Sequence, residues 1–157
     1  MLPSNRLSVR KKQRRHYSGK KKRHTQKAQV IINQRALEIT ATAFGNGGTH
    51  DFRLFKESYA CMAQSIQCLA DTGYLGLTKL HANSQIPAKK SKLHPLTPEQ
   101  KASNRQLASQ RIFCEHIIGR LKVFHVLSDR YRNRRKRFNL RFNLIAAIYN
   151  LELHSKS

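Results

Sequence analysis

Acidic residues are scarce in this chain. It has 8 Asp and Glu against 31 Lys and Arg over 157 residues, a formal net charge of +23, and no acid occurs before Glu38. So strong an imbalance says more about partners than about fold, and it points to a polyanion. Cysteine is also sparse. Cys61, Cys68 and Cys114 lack CxxC spacing, which argues against a disulfide framework and a zinc site and fits reduced thiols in a cytosolic protein. No apolar stretch reaches the roughly 18 residues of a membrane span. No hydrophobic region follows the basic N-terminus, so a signal peptide is not expected. The length and the 39% apolar content suit one domain, or most of one, with a modest core.

The cations fall in two blocks. Residues 6–27 hold eleven Lys and Arg and no acid; residues 120–141 hold nine, with one Asp. Such blocks are the footprint of nucleic-acid binding. A membrane surface would also attract them, but the first block lacks the interleaved apolar face of an interfacial helix.

Periodicity divides the rest. Residues 1–23 read as an irregular basic arm. Gln29–Ile32 is β-branched, Asn33-Gln34-Arg35 can turn, and Leu37, Ile39, Ala41 and Ala43 alternate with polar residues, which predicts a hairpin. Gly45-Asn46-Gly47-Gly48 predicts the loop that ends it. A helix is expected from Thr49–Asp51 onward. Ile66–Ala70 reads as a short buried strand ending at Asp71, broken by Gly73 and Gly76. Residues 81–97 read as a loop or a short edge strand. Thr97 as N-cap and Pro98 in the first turn open a long helix towards Phe124, with Leu107, Cys114, Ile117, Ile118, Leu121 and Phe124 as its core stripe. Near the C-terminus Leu140, Phe142 and Leu144 alternate like a strand, but Phe138, Phe142, Ile145 and Tyr149 follow helical spacing, and the length favours a helix. Strands and helices together predict an α/β or α+β domain.

Against this background Glu115 stands out. At about 100° per residue, Arg111, Glu115 and Lys122 share one stripe within roughly 40°. An ordinary i,i+4 surface pair is the plain reading. Such a pair contributes only about 0.2–0.5 kcal/mol, and acid-before-base is the better order; here the base comes first. A carboxylate between two cations, in a chain this basic, also suits a metal-dependent site working on phosphate. Asp71, between an apolar strand and Gly73, could project into a loop crevice or simply bind its own backbone as a turn residue. Asp51, at a helix start, reads as an N-cap or first-turn partner of the helix dipole and is set apart from the site. His50 beside it reads as structural.

Arg, three residues, Glu, six residues, Lys resembles the signature around the last catalytic acid of the DDE transposases of bacterial insertion sequences. Ala108 stands where that signature carries a Tyr. Tyr17-Ser18-Gly19-Lys20-Lys21-Lys22, Thr49-His50-Asp51-Phe52, Leu69-Ala70-Asp71-Thr72-Gly73-Tyr74 and Tyr131-Arg132-Asn133-Arg134-Arg135-Lys136-Arg137-Phe138 resemble the Harbinger-related branch of the same DDE superfamily endonucleases, in the right order.

The resemblance implies an RNase H-like mixed sheet flanked by helices, with a basic arm at 1–23 and a partial catalytic domain at 24–157. It makes Asp71 and Glu115 the second and third catalytic acids and ligands of Mg²⁺ or Mn²⁺. It assigns Arg111 and Lys122, the arm residues Tyr17, Lys20, Lys21, Lys22 and Arg23, and Arg132, Arg134, Arg135 and Arg137 to DNA contact. The family's first Asp lies upstream of the Tyr-Ser-Gly-Lys segment, on a strand this chain lacks. The expectation is therefore an N-terminally truncated or split-frame copy of a transposase. It would act on double-stranded DNA at the inverted-repeat ends of a mobile element and be homo-oligomeric when complete. It would need the missing N-terminal segment, and it would sit in the bacterial cytoplasm with the nucleoid, off the membrane. A non-catalytic DNA-binding remnant or regulator is the second expectation; a basic RNA-binding structural protein is a third, disfavoured by the ordered segments.

Overall fold

The computed structural model describes residues 17–18, 23–58, 62–91, 95–128 and 137–155, and side chains from Thr25 onward. Its centre is a hairpin. Strand β3 (Gln26–Asn33) pairs antiparallel with β4 (Glu38–Asn46), and Asn33 Oδ1 accepts from Arg35 N in the turn between them. Leu37, expected in the strand, lies in that turn with φ 56°. Gly45 and Asn46, expected in the following loop, are still paired, with Lys27 and Gln26.

Alternation sends β3 side chains to two faces. Ala28, Val30 and Ile32 pack into one core cluster, Ile31 into another. Strand β4 does not keep a single phase. Ile31 faces Ala41 but Ile32 faces Ile39, so Thr40 is an extra residue, a bulge. The bulge flips the alternation. Ile39 and Phe44 therefore join the same cluster, while Ala41 and Ala43, read from sequence as on Ile39's face, are cross-strand partners of Ile31 and Gln29.

The first cluster is covered by α4 (Phe138–His154), which buries Phe138, Phe142, Ile145, Ala146 and Tyr149. The strand-like alternation arose because α4 also carries leucines on its outer face: Leu140 and Leu144 are 69% and 60% exposed. Helix α2 (Pro98–Val123) adds Ile117 and Leu121. Its start is as expected, with Pro98 at the first turn and a reciprocal capping box between Thr97 and Gln100. Phe124 leaves the expected stripe: it is the C-cap, has extended backbone, and is 42% exposed. Once the helix stops, the helical period no longer aims its side chain. A four-residue helix α3 (His125–Ser128) follows.

The other hairpin face meets α1 (Asp51–Glu57) and the second cluster, Phe55, Ala70 and Leu77 with Ile31, Phe52, Cys68 and Tyr74. Strand β5 (Cys68–Leu69) pairs parallel with β6 (Ser84–Gln85). It is shorter than the sequence run suggested; Ile66 is 53% exposed. Within the arm expected to be irregular, β1 (Tyr17–Ser18) pairs with β2 (Arg23–His24). The protein is α+β, but the single mixed sheet is not assembled among the described residues: the strands form three two-stranded ladders. No helix among the described residues is long and apolar enough to cross a membrane.

Candidate active site

Strand β5 delivers Asp71. Ala70 N donates to Gln85 O at 3.0 Å, which extends the parallel ladder to the residue before the acid. Asp71 then caps a 3₁₀ turn, Thr72–Tyr74: its Oδ1 accepts from Thr72 N at 2.6 Å and from Thr72 Oγ1 at 3.3 Å. The turn role and an outward-facing role coexist, because 58% of the side chain stays exposed.

Helix α2 crosses near this turn. Arg111 Nη1 lies 3.5 Å from Asp71 Oδ1. The guanidinium thus reaches to a different element, and it ties the strand end to the helix stripe read from the sequence. Glu115 is exposed one helical turn beyond Arg111, roughly 5–6 Å away between Cβ atoms. Lys122 is exposed in the last turn of the same helix.

Three residues not assigned to the site adjoin it. Asp51 is the first residue of α1; His50, not Asp51, is the N-cap, accepting from Phe52 N. Asp51 Oδ1 pairs with Lys27 Nζ at 2.8 Å, and the same Nζ donates to Thr49 O at 2.6 Å. Tyr74 follows Gly73 and stacks edge-on against Phe55. Burial pushes its hydroxyl up to about 12, with Asp51 and Asp71 adding to the effect and Arg111 opposing it. Tyr74 belongs to the Leu69–Tyr74 segment and Lys27 to the first basic block, but no spacing rule singles out either one.

Other expected positions divide between described and undescribed residues. Tyr17 and Arg23 lie on the small β1–β2 ladder, opposite His24 and Ser18. Arg137 is exposed at the start of α4. Lys20, Lys21, Lys22, Arg132, Arg134 and Arg135 fall outside the described residues. The described thiols, Cys68 and Cys114, are half-buried and unpaired with each other, and burial raises the pKa of both.

Among the described residues no cluster of three or more His, Cys, Asp or Glu could share an ion. Two carboxylates are still a suitable donor set for Mg²⁺, which keeps several waters and is commonly held by one or two carboxylates plus substrate phosphate. Asp71 offers a hard oxygen donor beside a guanidinium that suits phosphate, and Glu115 is a second exposed carboxylate on the helix that carries that guanidinium.

Residues 2–150 match the family described as DDE superfamily endonuclease. The chain belongs to this family. Over 147 residues it is 48% identical to a protein of Microchaete diplosiphon named "Probable transposase for insertion sequence element IS702". That match takes in 94% of this chain and 53% of the relative; the chain spans about half the relative's length. No solved structure matches it significantly. Within this endonuclease family chain, the strand end, the 3₁₀ turn and the α2 stripe are the features to which chemistry can be assigned.

Proposed function

We propose that this chain is the part of an insertion-sequence transposase that carries two acids, Asp71 and Glu115, of a two-metal site. The site cleaves and rejoins phosphodiesters at the ends of the element. The observation that supports this reading is the Arg111–Asp71 pair. It ties the acid at the end of β5 to the helix stripe that bears Glu115, although 43 residues separate the two acids in sequence.

When bound, Mg²⁺ or Mn²⁺ neutralises charge on the attacking and leaving oxygens. The protein's own groups do the rest. Asp71 and Glu115 hold the ions. Arg111 and Lys122 contact the phosphates beside the cut and fix the strand's register without reading sequence. Tyr17, Arg23 and Arg137, with the basic residues of both blocks, extend that grip along double-stranded DNA. An RNase H-like arrangement, homo-oligomerisation on DNA and a nucleoid location in the cytoplasm belong to the same reading.

The second reading is a DNA-binding chain without catalysis. It is favoured by one specific fact: among the described residues no cluster of three or more His, Cys, Asp or Glu could share an ion. One experiment separates the two. Nicking of element-end DNA in Mg²⁺ or Mn²⁺ is measured for this chain joined to the portion of the relative it does not match. The joined protein is expected to nick, and Asp71→Asn or Glu115→Gln to abolish nicking while DNA binding persists. Normal cleavage by the Glu115→Gln protein would refute the assignment. Binding without cleavage in every version would leave the second reading standing.

A further inference from the structure

We propose that Asp51, clamped by Lys27, is a positioning residue for Asp71. The inference deepens the reading above and rests on Asp71 being a site acid. It starts from a close approach. A Cβ built on Gly73 would lie 2.6 Å from Asp51 Oδ2 and 3.3 Å from both Asp51 Cβ and Cγ. Real side-chain carbons do not tolerate 2.6 Å, so residue 73 can be only glycine while the carboxylate stays where it is.

The carboxylate is held in place. Its other oxygen, Oδ1, is 2.8 Å from Lys27 Nζ, and that ammonium is fixed in turn by Thr49 O at 2.6 Å. Lys27 is available because alternation along β3 puts it on the face of Gln29 and Ile31, opposite Ala28 and Val30. Only 28% of the lysine side chain is exposed.

The consequence falls on Asp71. Gly73 is the central residue of the 3₁₀ turn that Asp71 caps through Thr72 N. The carboxylate of Asp51 is thus a wall against which this turn rests. Moving the wall, or thickening the turn, rotates the segment that aims Asp71 at Arg111. The ammonium fixes the position of the Asp51 carboxylate. An exposed ion pair with no other contact would contribute little and would leave residue 73 unconstrained.

The test is a double-substitution cycle on the 157-residue chain, labelled with ¹³C at aspartate carboxyls. Asp71 is assigned by loss of its signal in Asp71→Asn, and Mn²⁺ is titrated while that signal broadens. Gly73→Ala is expected to shift the Asp71 signal and weaken its Mn²⁺ response about tenfold, the lower end for losing a contact that orients a metal ligand. Asp51→Gly is expected to do the same. The double variant should be no worse than Asp51→Gly alone, because the clash has been removed. Losses that add, or an Asp71 signal indifferent to both substitutions, would overturn the proposal. If Gly73→Ala does not fold, Lys27→Met frees the carboxylate without touching the turn, and it must shift Asp71 in the same direction or the proposal fails. If Mn²⁺ never broadens Asp71, even in the parent chain, yet the signal shifts non-additively, then the metal reading fails and the positioning role stands.

Discussion

The two faces of the central hairpin are built differently. On the α4 face, nearly everything is tied. Phe44 meets Phe138 and Phe142 edge-on, at 6.0 and 5.3 Å between ring centres. Ile39 N donates to Asn150 Oδ1, and Asn150 Nδ2 donates to Ile39 O. That amide takes the place of a neighbouring strand at the β4 edge. Tyr149 Oη donates to Leu37 O, and Thr42 pairs with Asn143. On the α1 face the elements are short: a seven-residue helix, two-residue strands and two 3₁₀ turns. Gln29 is buried there, and its Oε1 has no hydrogen-bond partner among the described residues. The acid Asp71 belongs to this looser side. Short elements bury little and leave carboxylates exposed, as the proposed uptake of ions and DNA would require; the α4 face carries the larger apolar cluster.

The largest expected effect tests that division directly. Phe142 is buried and touches both Phe44 and Phe138. Phe142→Ala should cost about 3–5 kcal/mol, the range for large aromatic truncations in a core. A denaturant melt measures it. A cost below about 1 kcal/mol would mean that the α4 face is not the main source of stability.

A smaller effect is expected at the strand edge. Asn150→Ala leaves both the N–H and the C=O of Ile39 without their amide partner. Stranding buried backbone groups costs about 1–3 kcal/mol. Amide hydrogen exchange at Ile39 should accelerate beyond that of Val30 in the same variant. Equal acceleration at both positions would mean that Asn150 supports the whole fold and not this edge.

What could be read from the sequence follows the same division. Helices α2 and α4 were legible because their signals are local and repeated: Thr97-Pro98 with Gln100 at one start, and Phe138, Phe142, Ile145 and Tyr149 at helical spacing. The hairpin was legible, but its inner face was not. One inserted residue, Thr40, exchanges the faces of Ala41 and Ala43 for those of Thr42 and Phe44, and periodicity cannot register a bulge. At the site, Glu115 and Asp71 stood out through scarcity and motif. The Arg111–Asp71 contact spans 40 positions, and the approach of Asp51 to Gly73 spans 22, so neither has a local signature. Asp51 reads as a helix-start residue and is the first residue of α1; its second contact exists only in three dimensions.

The smallest effect concerns Tyr74, which packs against Phe55 on the looser face. Its hydroxyl is raised from 10 to about 12, first by burial and then by Asp51 and Asp71. A raised pKa means that the folded state prefers the protonated form. This contribution to stability is complete below about pH 10 and is lost as pH climbs through about 12. The parent chain should therefore lose melting temperature over this alkaline window more steeply than Tyr74→Phe, which has no proton to lose there. Asp71→Asn should leave the hydroxyl easier to ionise, since one of the charges that raise it is gone, and tyrosinate absorbance would report it. The burial component should survive that substitution because Phe55 still covers the ring. If Tyr74→Phe and the parent chain lose stability in parallel, the hydroxyl is not held protonated by burial and the two acids. The α1 face would then be looser than its short elements already imply.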